Sequence, residues 1–241
     1  MILKECLNYK KINYKWIPYK LNEERRQNRI KICKKMLLLL KDGDEKKIMN
    51  IITCDETFIN CSNPFKKYWK KKDEEFKKIP KKFPKKKFLI FVSFTMRGLL
   101  SVYVVPNNNK INSEIFSNDI LDDMIEELYK TRPSKFIRDF ILHFDNASTH
   151  TSKKTKEKIK TMKLRILEHP SYSPDLAPCD FFLFGYLKET LRGIEINDEK
   201  ECYEIVVEKL NQISKEVYKK VFLEWIKRLK WVISNNGDYY N

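Results

Sequence analysis

Asp55, Asp145 and Asp180 are the residues of this chain whose type and placement suggest chemistry. Asp55 closes a short apolar run with β-branched residues at 49–54, and Asp145 closes a second stretch at 140–144 that also reads as a buried strand. Asp180 falls in the first turn of a helix expected over 179–191, after a proline-punctuated loop at 169–178. Carboxylates delivered from two strand ends and a helix start suit a hard divalent cation, which takes oxygen ligands. Two such ions roughly 3.5–4 Å apart activate a water and stabilise a departing 3′ oxygen in an in-line displacement. Residue type alone leaves a second reading open for each, because a strand-end aspartate also satisfies turn amides or caps a helix.

Several neighbours carry two readings. Asn146 orients a water or phosphate at the acid beside it, or simply bonds its own loop. His143 and His150 flank Asp145 as supports or DNA contacts, or by plain packing or surface placement. His169 precedes a proline and reads as structural, while Tyr172, Ser173, Pro174 and Pro178 shape the loop that delivers Asp180. Glu56 adjoins Asp55, but strand alternation sends its side chain to the opposite face.

The elements that must position these groups follow from periodicity. Residues 1–22 are basic and aromatic without a repeat and read as a linker. Helical spacing of Ile30, Ile32, Cys33, Met36 and Leu37 predicts a helix over 22–41, with Asn22 as N-cap and Glu23 and Glu24 in its first turn. A second strand is expected at 57–61, a hairpin at 88–94 and 99–105 turning at Arg97-Gly98, and a helix at 113–130. Beyond Asp145 come a helix at 152–162, a strand at 164–167, and helices at 198–213 and 215–233. The order describes an α/β sheet covered by helices.

Residues 66–87 hold 12 lysines against three acids, a net +9, broken by Tyr68, Trp69, Phe76, Phe83 and two prolines, so an irregular basic loop is expected. Over the whole chain 49 basic residues against 33 acidic give +16, which favours a polyanionic partner. Codon bias of an AT-rich genome accounts equally for such lysine enrichment. A 42% hydrophobic and 13% aromatic content excludes a disordered polycation. The six cysteines form no C-x-x-C pair, so neither a zinc site nor a disulfide framework is indicated. No signal peptide is visible, and the apolar run 36–40 is too short to span a bilayer, so a soluble intracellular protein with reduced thiols is expected.

The words around the acids are more specific than their spacing. Residues 51–59 read IITCDETFI, 141–152 read ILHFDNASTHTS, and 169–193 read HPSYSPDLAPCDFFLFGYLKETLRG; WIPYKL stands at 16–21 and NNGDYYN at 235–241. Together they resemble mariner-family DNA transposases over nearly the whole length, YSPDLAPCDFFLF most specifically. Thirty-four residues lie between Asp145 and Asp180, as in that family. The resemblance implies a ribonuclease-H-like fold, a mixed sheet flanked by helices, over 23–241. It implies Asp55, Asp145 and Asp180 as catalytic ligands of two Mg²⁺ or Mn²⁺ ions. The activity implied is cleavage of double-stranded DNA at transposon ends, then attack of the freed 3′-hydroxyl on a TA target, in the nucleus.

By the same likeness, Trp16, Pro18 and Leu21 belong to a linker that helps hold a homodimer. Lys66, Lys67, Lys70, Lys71 and Lys72 belong to a clamp loop facing DNA, His150 to the DNA contacts, and Asn146 and His143 to the surroundings of the metal site. The paired helix-turn-helix region that precedes this linker in the family is not in the sequence, so recognition of transposon ends is not expected of this chain. ETFI after Asp55 lacks the family's tryptophan, and phenylalanines stand at 91 and 94 where tryptophans are common. Two alternatives remain: a relic that binds DNA and dimerises without transposing, of the type fused to a histone methyltransferase, and a ribonuclease acting on RNA–DNA hybrids, since one fold hosts many activities.

Overall fold

A computed structural model describes residues 17–63, 86–106, 110–132 and 136–240. Five strands form one sheet in the order β3-β2-β1-β4-β5. β1 (Ile51–Asn60), β2 (Lys87–Thr95) and β3 (Gly98–Val104) run antiparallel, whereas β4 (Ile141–His143) and β5 (Arg165–Leu167) continue from β1 in parallel. The sheet is therefore mixed, as expected.

Strand alternation divides the core in two. Ile51 and Ile59 of β1 with Ile90, Val92 and Phe94 of β2 face one side; Ile52 and Cys54 with Leu89 and Phe91 face the other. The first side is covered by α1 (Glu23–Leu39), the short α2 (Glu45–Ile48), and the C-terminal helices described below. The second is covered by α3 (Ser113–Ile115), a π-helical turn at Phe116–Ile120 and α4 (Leu121–Thr131), then by α5 (Ser148–Thr151) and α6 (Lys153–Thr161).

After β5 a second π turn, Cys179–Leu183, leads into α7 (Phe184–Thr190), α8 (Glu199–Asn211) and α9 (Lys215–Ser234). α9 buries Tyr218, Val221, Phe222, Trp225, Ile226, Leu229 and Val232, a stripe at three- and four-residue steps, and packs against α1. Ser214 accepts from the Val217 amide at its N-terminus. No helix of the described residues is long and apolar enough to cross a membrane, and the five described cysteines are free thiols.

Four expectations change. The two short strands around Asp55 are one ten-residue strand, because the acidic pair falls within the β1–β2 ladder rather than at a break. The strand before Asp145 ends at His143, leaving Asp145 in a loop. The 113–130 helix is interrupted by its π turn. Asn22 caps α1 as read, accepting from the Arg25 amide at 3.0 Å, but the helix buries Arg29 and leaves Ile30 half-exposed. Trp16 and Lys66, Lys67, Lys70, Lys71 and Lys72 lie outside the described residues; Pro18 is exposed and Leu21 is buried within its own chain.

Candidate active site

The parallel pairing of β1 with β4 brings the first two acids together. Thr53 pairs with His143, the last pair of that ladder, and Asp55 and Asp145 each lie two residues beyond it. They therefore leave the same end of the sheet with the same parity. Asp55 remains on rigid backbone, since β2 continues beside it with Val92 opposite. Asp180 comes from the π turn, whose first amides converge on the Ala177 carbonyl, those of Asp180 and Phe181 both at 3.0 Å. Single π turns of this kind within helices are frequent at functional sites. A cleft of about 430 Å³ is lined by Asp145, Asn146, His169, Tyr172, Pro174 and Asp180.

The acids feel one another. Burial, then the charges of Asp180, Glu56 and Asp145, push Asp55 up to about 9. Burial and Asp145 raise Asp180 to about 6 against the opposing pull of Lys188. Burial acts upward on Asp145 too, but hydrogen bonds from His150 and the Ala147 amide outweigh it and hold the carboxyl below its ordinary value. Among the described residues no three His, Cys, Asp or Glu side chains close into a ready-made metal cage. A divalent cation among these carboxylates would offset the like charges that, after burial, raise Asp55 and Asp180. The donor set is all oxygen and anionic, the kind that fits Mg²⁺ or Mn²⁺.

The remaining candidates separate. Asn146 donates to the His169 carbonyl at 2.7 Å, so its amide ties the loop together. His143 is buried away from the acids, its Nδ1 3.0 Å from Thr53 Oγ1, its Nε2 3.1 Å from His169 Nδ1 and its ring against Trp225. Burial and the neighbouring His169 hold it far below the usual imidazole value, and burial brings His169 to about 4. His150 corrects the expectation of a DNA contact. It is 1% exposed, with Nδ1 2.8 Å from Asp145 Oδ1, so it cannot reach a phosphate from where it lies.

The sequence profile of the DDE superfamily endonucleases matches residues 50–202. The chain belongs to this family. All three acids fall inside the matched segment of the endonuclease. The chain is 28% identical over 247 residues to the human histone-lysine N-methyltransferase SETMAR, covering 99% of this chain and 35% of that protein. It is 27% identical over 183 residues to the mariner Mos1 transposase of Drosophila mauritiana, covering 73% of this chain and 52% of that one. It thus spans roughly a third and a half of these relatives' lengths. The fold is that of Mos1. A solved paired-end complex of that transposase with its left transposon end superposes with a TM-score of 0.85 at 23% identity, covering 99% of this chain and 70% of that one. The Mos1 catalytic domain gives 0.76 at 22%, covering 94% and 100%.

Sequence reasoning missed the clasp behind the Asp180 loop. Arg29, 1% exposed, donates to both oxygens of Asp175 at 3.0 and 2.7 Å, to Ser173 Oγ, and to the carbonyls of Gly237 and Asp238. Arg228 joins it through the Asp175 carbonyl, and the Tyr240 amide reaches Asp175 Oδ2. The signal was present: Arg29 stands three residues before Ile32 and four before Cys33, on the stripe that must face the core.

Proposed function

We propose that this chain is the catalytic core of a mariner-type DNA transposase, which cleaves phosphodiester bonds at transposon ends and joins the freed 3′-hydroxyl to a TA target. The observation that carries this reading is the convergence of Asp55, Asp145 and Asp180 at one end of the sheet, Asp55 and Asp145 two residues past the last β1–β4 pair and Asp180 across the cleft from Asp145. Asp55, Asp145 and Asp180 would hold two Mg²⁺ or Mn²⁺ ions, which when bound supply Lewis-acid activation and neutralise charge at the attacked phosphate. Solved complexes of Mos1 with Mn and with Mg support that choice of metals. Asp55 contributes rigidity, held in the ladder; Asp180 contributes reach, carried on the π turn; Asn146 and His169 keep the lip of the cleft in shape.

Around this centre, the basic segment 66–87 is assigned to DNA phosphates, Lys66, Lys67, Lys70, Lys71 and Lys72 foremost, and Trp16 and Pro18 to a homodimer linker that Leu21 anchors to its own chain, with the protein acting in the nucleus. The paired-end assemblies of Mos1 support a dimer on DNA. A second reading is favoured by the match of 99% of this chain to the methyltransferase-named relative: a module that binds DNA without transposing.

Nicking of supercoiled plasmid in Mg²⁺ or Mn²⁺ tests the first reading. Activity lost in chelator and in Asp145→Ala and Asp180→Ala, by at least about 10³-fold as expected for a unit that acts together, supports it. Salt-sensitive DNA binding without nicking supports the second. Nicking that survives both substitutions overturns the assignment of the acids.

A further inference from the structure

Glu56 Oε2 and His150 Nε2 are both buried without a hydrogen-bond partner, and they face each other 3.6 Å apart. That separation exceeds a hydrogen bond, and the contact is attractive when one proton lies between the two atoms, on Nε2 or on the Glu56 carboxyl. The other ring nitrogen of His150 sits 2.8 Å from Asp145 Oδ1. A carboxylate oxygen only accepts, so the ring presents its Nδ1–H there. Glu56 projects from the face of β1 opposite Asp55, opposite Phe91 in the ladder and on the side packed by α3 and α4. His150 bridges from that side, past the end of β4, to Asp145.

The ring has no freedom to do otherwise. Its side chain is fully buried, with the rings of Phe116, Phe144 and Phe91 at 4.6, 5.0 and 6.2 Å. Asp145 Oδ1 takes a second bond from the Ala147 amide at 2.9 Å. One oxygen of this acid is thereby spent on protein donors, and Oδ2 is the one left to the cleft.

We propose that Glu56 and His150 form a positioning pair for Asp145, Glu56 steadying the imidazole from the far face of the sheet and His150 fixing the carboxylate so that Oδ2 meets a divalent cation in one orientation. Neither residue touches the metal or the DNA. Outer partners of this sort orient a ligand and tune its affinity. The proposal rests on Asp145 being a metal ligand, as read above.

The test is Mn²⁺ binding to the purified full chain without DNA, followed by the free-ion electron paramagnetic resonance signal. Asp145→Ala serves as reference, and thermal unfolding in chelator checks the fold. His150→Leu is expected to weaken Mn²⁺ binding about 10–100-fold. His150→Asn, whose amide nitrogen stands where Nδ1 stood, restores most of it, while His150→Gln, whose nitrogen falls nearer the Nε2 position, does not. Glu56→Leu weakens binding and Glu56→Gln, an isostere that keeps an acceptor, largely preserves it. If Asp145→Ala weakens binding but His150→Leu does not, or if Asn and Gln at 150 behave alike, the positioning pair is wrong and the metal assignment stands. If Asp145→Ala leaves Mn²⁺ binding unchanged, the metal assignment fails and takes this proposal with it. Should His150→Leu not fold, the Asn–Gln contrast and Glu56→Gln decide alone.

Discussion

Asp55, Asp145 and Asp180 share one side chain and differ in what surrounds it. Asp145 Oδ1 takes two donors, His150 and the Ala147 amide. Among the described residues Asp55 takes the Glu56 amide alone and Asp180 is offset only by the charge of Lys188, so burial and the neighbouring acids prevail at both. A carboxyl whose proton affinity is raised by folding stabilises the fold below its unfolded value, near 3.8, and that contribution is lost as pH rises through its folded value. In chelator the loss therefore runs through about 6 for Asp180 and about 9 for Asp55. Asp145 has the opposite sign: its contribution is present above the ordinary carboxylate value and lost as pH falls through its depressed one. Thermal melts in chelator from pH 5 to pH 10 are expected to show Asp55→Asn gaining on the wild type as pH rises, by about 2–4 °C for each kcal/mol of relieved repulsion. Mg²⁺ closes that gap by stabilising only the wild type. An Asp55→Asn variant no more stable than wild type at high pH contradicts the like-charge account.

Helix α1, the 169–178 loop and the C-terminal turn meet at Arg29, and Asp180 is delivered by the loop so held. Breaking a buried, bidentate pair from one side leaves a charge uncompensated, which costs about 3–5 kcal/mol. Arg29→Ala and Asp175→Ala are each expected to destabilise by that amount in urea, with the double variant well short of their sum. Full additivity shows that the two do not act as a pair. The clasp also depends on Gly237, at φ +74°, where a Cβ would collide with the Arg26 carbonyl. Its left-handed backbone and this close approach explain why NNGDYYN carries glycine there. The same contacts explain the buried charge on α1: the stripe of a helix packs whatever its partner offers, and here the partner offers a carboxylate and two carbonyls.

At the scale of the molecule, the +16 charge and the two-sided core make separate predictions. Trp225 is fully buried beneath His143 and beside Phe222, so Trp225→Ala is expected to cost about 3–5 kcal/mol in equilibrium unfolding. DNA affinity is expected to fall linearly on a log–log plot against salt, with a slope of about 0.9 per phosphate neutralised. Replacing Lys66, Lys67, Lys70, Lys71 and Lys72 by Gln lowers that slope by up to about 4–5 if all five meet phosphates. An unchanged slope moves the DNA path off this segment and leaves the lysines as solvated charge.

Much of this architecture is legible in the order of the residues. A β-branched apolar run falls where β1 begins and short apolar stretches fall at β4 and β5, the α9 stripe follows helical period, and Asn22 announces the start of α1, because these are local effects of side-chain spacing and backbone hydrogen bonding. The three acids stand out as candidates from the words around them. Tertiary structure alone decided how they meet: a parallel register of Thr53 with His143 is a pairing between segments 90 residues apart, and no local pattern encodes it. It decided as well that His150 turns inward, since nothing local distinguishes a surface or DNA-facing histidine from a packed one until Phe91 and Phe116, from two distant segments, close around it with the nearby Phe144. Glu56 shows both sides of the matter. Alternation along one strand placed its side chain on the face away from Asp55, and only the packing of α5 against that face brought it back within reach of the site through an imidazole.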